Sequence, residues 1–219
     1  MDLLQLLSWA CIVFTVGMFS TGLTDLKKMQ AAKNADNVQF LPFLTTCLNN
    51  LGWLYYGILK RNGTVVLVNV IGAVLQTVYI ISYCHYTKEK RRVISQCLAA
   101  GVVLACGWLY FGVLLPQGDS QLGQLGLTCS VVTVSMYFSP LTDLVGMVRS
   151  GNLERLSFPL TVATFLTSSS WALYGLELKD YYIMVPNTPG ILTSLVRFYL
   201  FWRFASVNQS SPSYQLIEL

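Results

Sequence analysis

TVSMYFSPLTDL, Thr133 to Leu144, repeats TVGMFSTGLTDL, Thr15 to Leu26, and the offset between them, 133 − 15 = 118, recurs along the chain. NNLGWLYYG (Asn49–Gly57) returns as TSSSWALYG (Thr167–Gly175), and VNVIG (Val68–Gly72) returns as PNTPG (Pro186–Gly190). The register slips only around Pro42 and Pro159, where 159 − 42 = 117, so the preceding loops differ by one residue. A self-match this long marks a chain built from two copies of one unit.

Composition says where such a chain lives. Apolar residues make up 54% of the 219 positions and charged residues 11%, and the mean hydropathy is +0.55. An average soluble domain carries about twice that charge fraction, and too few polar residues remain here to coat a soluble core. The apolar residues come in runs of roughly 20, enough to cross a hydrocarbon core of ~30 Å. Seven spans are predicted: Leu3–Leu26, Phe40–Leu59, Thr64–Cys84, Val93–Leu115, Leu122–Met147, Phe158–Leu176 and Tyr181–Phe204. The first is no cleavable signal peptide, because Asp2 precedes it without a positive charge, and Lys27 and Lys28 follow it.

Basic residues orient the spans. With the N-terminus outside and the C-terminus cytoplasmic, the cytoplasmic segments collect ten cations: Lys27, Lys28, Lys33, Lys88, Lys90, Arg91, Arg92, Arg149, Arg155 and Arg203. The outer loops hold three, Lys60, Arg61 and Lys179. That asymmetry is the positive-inside bias. The net charge of +4 therefore reports topology and implies no nucleic-acid partner. His85 sits at a cytoplasmic span end, where it reads as an interfacial residue.

Each copy holds three spans, an odd number, so two copies joined directly would point opposite ways. The fourth span has no counterpart and restores the direction. The expected fold is an all-α membrane protein with seven transmembrane helices in a 3+1+3 order. Its parts are a first repeat at 1–86, a linker helix at 87–119, a second repeat at 120–204 and a cytoplasmic tail at 205–219. Parallel repeats about an axis along the membrane normal commonly bind substrate where the repeats meet.

Two kinds of stripe point at that interface. Asn69, Gly72 and Gln76 are spaced i, i+3, i+7, and Asn187, Gly190 and Ser194 repeat the spacing. Thr46, Asn50, Trp53 and Gly57 have their twin in Thr164, Ser168, Trp171 and Gly175. An amide facing lipid would leave its donors and acceptors unsatisfied, so the stripes should face inward. Helix-to-helix glue uses the same small polar residues, at about 1 kcal/mol or less per hydrogen bond. The paired amides and paired indoles favour a binding site, because an amide both donates to and accepts from hydroxyls and an indole packs against an apolar ring face. A ligand with many hydroxyls fits that set.

The middles of the spans are almost free of acids and bases. Asp25 and Asp143 lie near the cytoplasmic ends of the first and fifth spans, as interfacial caps or as gate contacts, and Arg197 lies low in the seventh. Ion-driven transport usually needs an ionisable core group, so the pattern favours a neutral substrate moving down its gradient. Pro42, Pro140 and Pro159 fall in the spans near the cytoplasmic side, and Gly22 stands at the place matching Pro140 (140 − 118 = 22). Each is expected to interrupt or loosen a helix ladder, either as a hinge or simply as a kink. Pro186 and Pro189 lack N–H donors, which frees the carbonyls of Tyr182 and Val185 either as acceptors for hydroxyls or simply to bend the helix. The six cysteines (Cys11, Cys47, Cys84, Cys97, Cys106 and Cys129) lie in or beside spans without a CxxC and read as apolar fillers. No GxSxG, HExxH, GxGxxG or P-loop is present, so neither an enzyme nor a cofactor is expected.

These residues resemble the SWEET sugar transporters of the PQ-loop superfamily, and most of all their animal branch. The resemblance covers about residues 8 to 205 and is carried by the 3+1+3 layout, NVQFLPF, LSFPLT, SPLTDL, WALYG and PNTPG. It implies a bidirectional, energy-independent uniporter for glucose-like sugars, resident in the plasma membrane or the Golgi and assembling as a homo-oligomer. It also implies that Asn69 and Asn187 hydrogen-bond the sugar, that Trp171 and Asn50 close the pocket, that Trp53 is an outer-gate aromatic and that Asp180 stands near that gate. The family's hinge prolines map onto Gly22, Pro42, Pro140 and Pro159, and Gly22 departs from the pattern.

Other PQ-loop functions remain as alternatives. A proton-coupled amino-acid exporter wants a buried acid and a sorting receptor wants cavity arginines, and the stripes offer neither. A seven-span signalling receptor would not carry the internal repeat. Asn62-Gly63-Thr64 is a glycosylation sequon on an outer loop, Asn208-Gln209-Ser210 is a second on the cytoplasmic side, and YQLI (Tyr214–Ile217) matches a tyrosine-based sorting signal.

Overall fold

The computed structural model describes residues 2–150 and 157–210. Arg155 and the YQLI segment lie outside the described residues, as do the side chains of Pro140, Asp143 and Asn208. The helices are α1 (Leu3–Phe19), α2 (Gly22–Ala32), α3 (Leu41–Leu59), α4 (Gly63–Tyr86), α5 (Lys90–Trp108), α6 (Asp119–Ser135), α7 (Phe138–Ser150), α8 (Phe158–Glu177), α9 (Tyr181–Met184) and α10 (Thr188–Ser210). A π-helical turn, Leu109–Leu114, continues α5, and a 3-10 turn, Val185–Asn187, joins α9 to α10. Counting α1–α2, α6–α7 and α9–α10 as one broken rod each yields the seven-helix 3+1+3 layout.

Leu3–Ala32, Gly63–Tyr86 and Lys90–Leu114 are long and apolar enough to cross a membrane by length and composition. The second rod of each half, α3 with 19 residues and α8 with 20, is long enough to cross as well, at 1.5 Å rise per residue.

The first and fifth predicted spans are not continuous. The chain leaves the helix at Ser20 and Thr21 in the first half and at Met136 and Tyr137 in the second. Side-chain hydroxyls take up backbone carbonyls at both breaks: Ser20 Oγ donates to the Val16 carbonyl at 2.8 Å, Thr21 Oγ1 to Met18 at 2.7 Å and Ser135 Oγ to Val132 at 2.6 Å. Such local bonds compete with the helix ladder.

The prolines do not interrupt a ladder. Pro42 is the second residue of α3, Pro159 the second of α8 and Pro140 the third of α7. First-turn N–H groups have no partner inside the helix, so proline there removes nothing. Gly22 opens α2 for a different reason. A Cβ at Gly22 would run into the ring of Tyr79, which is fully buried and donates its hydroxyl to the Phe19 carbonyl at 3.0 Å. The position matching Tyr79 in the second half is Arg197 (79 + 118 = 197).

The two halves interlock. The first helix of each packs on the second helix of the other, α1 on α8 and α3 on α6, while α5 leans on α3 and α4. The core between them is built largely of matched pairs: Cys11 with Cys129, Trp53 with Trp171, Tyr56 with Tyr174 and Val65 with Ile183. The turns that enter α4 and α9 are also copies. Arg61 and Lys179 both adopt left-handed backbone, with φ of 55° and 54°, a conformation uncommon outside glycine. Asn62 N–H then donates to the Gly57 carbonyl at 2.9 Å, and Asp180 N–H to the Gly175 carbonyl at 2.7 Å.

Candidate functional site

A cavity of about 160 Å³ lies between the halves, walled by Thr15, Asn50, Trp53, Asn69, Thr133, Trp171 and Asn187, among others. One buried water needs about 10–15 Å³, so the space suits a small solute. No Asp, Glu, Lys, Arg or His lines it among the described residues.

Asn69 and Asn187 stand at matched places with matched bonds. Asn69 Nδ2 donates to the carbonyl of Val65, and Asn187 Nδ2 to that of Ile183, both at 2.8 Å. The bond to the carbonyl four residues back fixes each amide rotamer. It uses one N–H and leaves the second N–H and the amide oxygen on groups that line the cavity.

The tryptophans are held across the interface. Trp53 Nε1 donates to Thr133 Oγ1 at 2.9 Å, and Trp171 Nε1 donates to Thr15 Oγ1 at 2.8 Å. Each half thus lends its indole to the threonine of the other. The hydroxyl of Thr133 also lies 2.9 Å from Asn49 Oδ1. With its N–H occupied, each indole presents only its π face and apolar edge to a ligand.

Behind the cavity the halves diverge. Gly72 and Gly190 clear space for Asn50 and Ser168 respectively, since a Cβ at Gly72 would meet Asn50 Nδ2 at 2.5 Å and one at Gly190 would run into Ser168 Oγ. The neighbouring aromatic is Phe19 in one half and Tyr137 in the other, and Tyr137 carries a hydroxyl that lies with Ser168 Oγ beside Gly190. Ser168 thus faces Tyr137 inside its own half, and it is not among the residues that wall the cavity, although it shares the stripe position of Asn50. Phe19 offers Asn50 no such partner. Asn50 is 3% exposed, its Nδ2 is unpaired, and it lines the cavity.

Asp180 belongs to the end of the bundle that holds the N-terminus. Its Oδ2 accepts from the Tyr56 hydroxyl at 2.8 Å and pairs with Lys60 Nζ at 3.2 Å, while Oδ1 caps α9 through Tyr182 N and Ile183 N. The matched contact is Tyr174 donating to Asn62 Oδ1 at 3.0 Å, and that oxygen also caps α4 through Val65 N. Asp180 is thus neutralised by Lys60 and held away from the cavity.

The prolines of VPNTPG leave no free acceptors. The Tyr182 carbonyl accepts Ser130 Oγ and the Val185 carbonyl accepts Thr188 Oγ1, each at 2.7 Å. Of the two readings of Pro186 and Pro189, bending is what the structure contains. Sequence reasoning missed Thr15, Thr133, Asn49 and Thr167. The signal was present, since Thr15 and Thr133 are the first residues of the matching dodecamers and Asn49 and Thr167 open the second matching pair.

The chain matches the family model described as "Sugar efflux transporter for intercellular exchange" twice, over residues 5–91 and 123–209, again 118 apart (123 − 5 = 118). It is 69% identical to "Sugar transporter SWEET1" of Danio rerio over 219 residues, covering all of both chains. It is 55% identical to the Homo sapiens protein of the same name over 214 residues, 98% of this chain and 96% of that one. A solved eukaryotic SWEET transporter superposes with a TM-score of 0.85 at 29% identity, over 93% of this chain and 97% of that one. These are transporters and not enzymes, and the chain belongs to the SWEET family of multi-pass membrane sugar transporters.

Proposed function

We propose that this protein is a bidirectional, energy-independent uniporter for glucose-like monosaccharides, working by alternating access with the sugar held between the halves. The observation that carries the reading is the uncharged cavity with a matched amide, Asn69 or Asn187, and a cross-braced indole from each half. Asn69, Asn187 and the unpaired Nδ2 of Asn50 would meet sugar hydroxyls, and the faces of Trp53 and Trp171 would cover the apolar faces of the ring. With no titratable group on the wall among the described residues, the wall offers no site to couple sugar movement to a proton.

The described form is shut at the end that holds the N-terminus. Tyr56 with Asp180 and Lys60, Tyr174 with Asn62, and the paired aromatic core tie the halves together there. In the cycle these links break while the halves close at the opposite end, where Gly22, Pro42, Pro140 and Pro159 mark the helix starts about which the rods tilt. By the positive-inside bias of the basic residues, the shut end would face outward and the C-terminus the cytoplasm. The family resemblance supports a homo-oligomer in the plasma membrane or the Golgi, which cross-linking and imaging of the tagged full chain would test.

The decisive experiment is radiolabelled glucose counterflow in liposomes, with and without a proton gradient. Equal counterflow in both conditions is expected. Flux that collapses when the gradient is removed would overturn uniport, and absence of any hexose counterflow would overturn the substrate class.

A further inference from the structure

A second cavity, of about 290 Å³, lies away from the interface between the halves. It is framed by the turn before α3 (Val38, Gln39, Phe40, Leu41), by Tyr83 on α4, and by Glu89, Arg92, Val93 and Gln96 at the start of α5. It sits where the linker helix meets the first half. Its floor is apolar, with Phe40 at 6% and Val93 at 3% exposure and the rings of Phe40 and Tyr83 5.0 Å apart. Two charged residues line it, Glu89 and Arg92, and they belong to the segment KEKRR at 88–92, four cations and one acid.

The rim charges are not committed to strong partners. Arg92 Nη1 pairs with Glu89 Oε2 at 3.2 Å, with the two side chains 73% and 67% exposed. Lys88 reaches Asp36 at 3.4 Å, also on the surface. Exposed pairs of this kind contribute little, so an incoming phosphate, which can take two parallel guanidinium N–H bonds, would displace Glu89 from Arg92. Lys90 and Arg91 are exposed beside it. Leu41 on the cavity wall is 54% exposed, and Ile94 and Leu98 further along α5 are 54% and 67% exposed, as residues facing hydrocarbon would be.

From this juxtaposition, an apolar-floored cavity with a cationic rim beside lipid-facing side chains, we propose that the cavity seats the headgroup of an anionic phospholipid. The phosphate bonds Arg92 with Lys90 and Arg91 close by, Gln39 and Gln96 meet the polar headgroup, and the glycerol and first acyl carbons lie over Phe40, Tyr83 and Leu41. Basic pockets between membrane helices are recognised places for such headgroups. A sugar offers no anion for this rim, and a free inorganic anion would gain nothing from the apolar floor. The bound lipid would brace α5 against α3 and α4.

The test uses the purified full chain in a neutral detergent and reads its melting temperature without sugar, so it stands or falls separately from the transport reading. A ligand that binds the folded state raises stability by mass action. The expected result is a concentration-dependent rise with phosphatidylglycerol and none with phosphatidylcholine or with soluble glycerol phosphate. Arg92→Gln, and separately Gln96→Trp, which fills the space without changing charge, should each lose at least half of that rise. Lys27→Gln, an equal charge loss outside the cavity, should keep it. An equal rise with phosphatidylcholine, or an undiminished rise in both cavity variants, overturns the proposal. An equal loss in Lys27→Gln means diffuse attraction and overturns it too, as does glycerol phosphate alone giving the whole effect.

Discussion

Trp171 and Thr15 are joined across the two halves by an indole-to-hydroxyl bond of 2.8 Å, and Trp53 and Thr133 repeat the bond at 2.9 Å. The symmetry has one imperfection with a consequence. Thr133 lies within hydrogen-bond distance of Asn49 Oδ1, whereas Thr167, which matches Asn49 (49 + 118 = 167), has a buried hydroxyl with no partner.

Thr133→Val should therefore lower sugar flux more than Thr15→Val. Both remove one acceptor from an indole, a loss of about 1 kcal/mol for a typical bond, but Thr133→Val also releases the Asn49 side chain into the cavity. Hexose counterflow at matched protein levels measures the difference, and a larger loss in Thr15→Val would contradict this ordering.

Asn69→Ala and Asn187→Ala should each abolish counterflow while expression and melting temperature stay near those of the parent. Each amide makes its described bond only to a carbonyl four residues back in its own half, so the truncation breaks no contact between the halves. Full uptake by both variants in proteoliposomes would remove the amides from the binding site.

At the shut end the two tyrosines differ in their acceptors. Tyr56 donates to the carboxylate of Asp180 and Tyr174 to the amide oxygen of Asn62. A bond to a charged group is worth about 1.5–3 kcal/mol against 0.5–1.5 for a neutral one. Tyr56→Phe should accordingly open this end more than Tyr174→Phe, read as the labelling rate of a cysteine placed at Trp53. Asn62→Asp, which keeps the cap and gives Tyr174 a charged acceptor, should label more slowly than the parent.

Gly22→Pro would complete the family's proline pattern, yet it should destabilise the protein, because a Cβ there meets the buried ring of Tyr79. Overpacking of this kind costs typically 1–3 kcal/mol. Adding Tyr79→Val should recover part of the lost melting temperature. If Gly22→Pro alone melts at or above the parent temperature, steric demand from Tyr79 is not the reason for the glycine.

The repeat, the seven rods and the paired amides and indoles were legible in the chain, since periodicity and an internal offset are properties of local order along it. Which atoms those side chains meet was not. Trp53 and Trp171 could be placed on a stripe, but their threonine partners lie 80 and 156 residues away and become neighbours only when α3 crosses α6 and α8 crosses α1. Ser168 sits on the same stripe position as Asn50, and only the aromatic packed beside each decides that Ser168 meets the polar Tyr137 while Asn50 meets Phe19 and keeps an unpaired Nδ2. The prolines of VPNTPG likewise announced a bend, while the Ser130 hydroxyl on α6 decided that the carbonyl freed by it faces protein. Sequence by itself determined which groups are available and on which face of which helix. The tertiary structure decided which were consumed, because a buried donor or acceptor takes the nearest partner that packing brings to it.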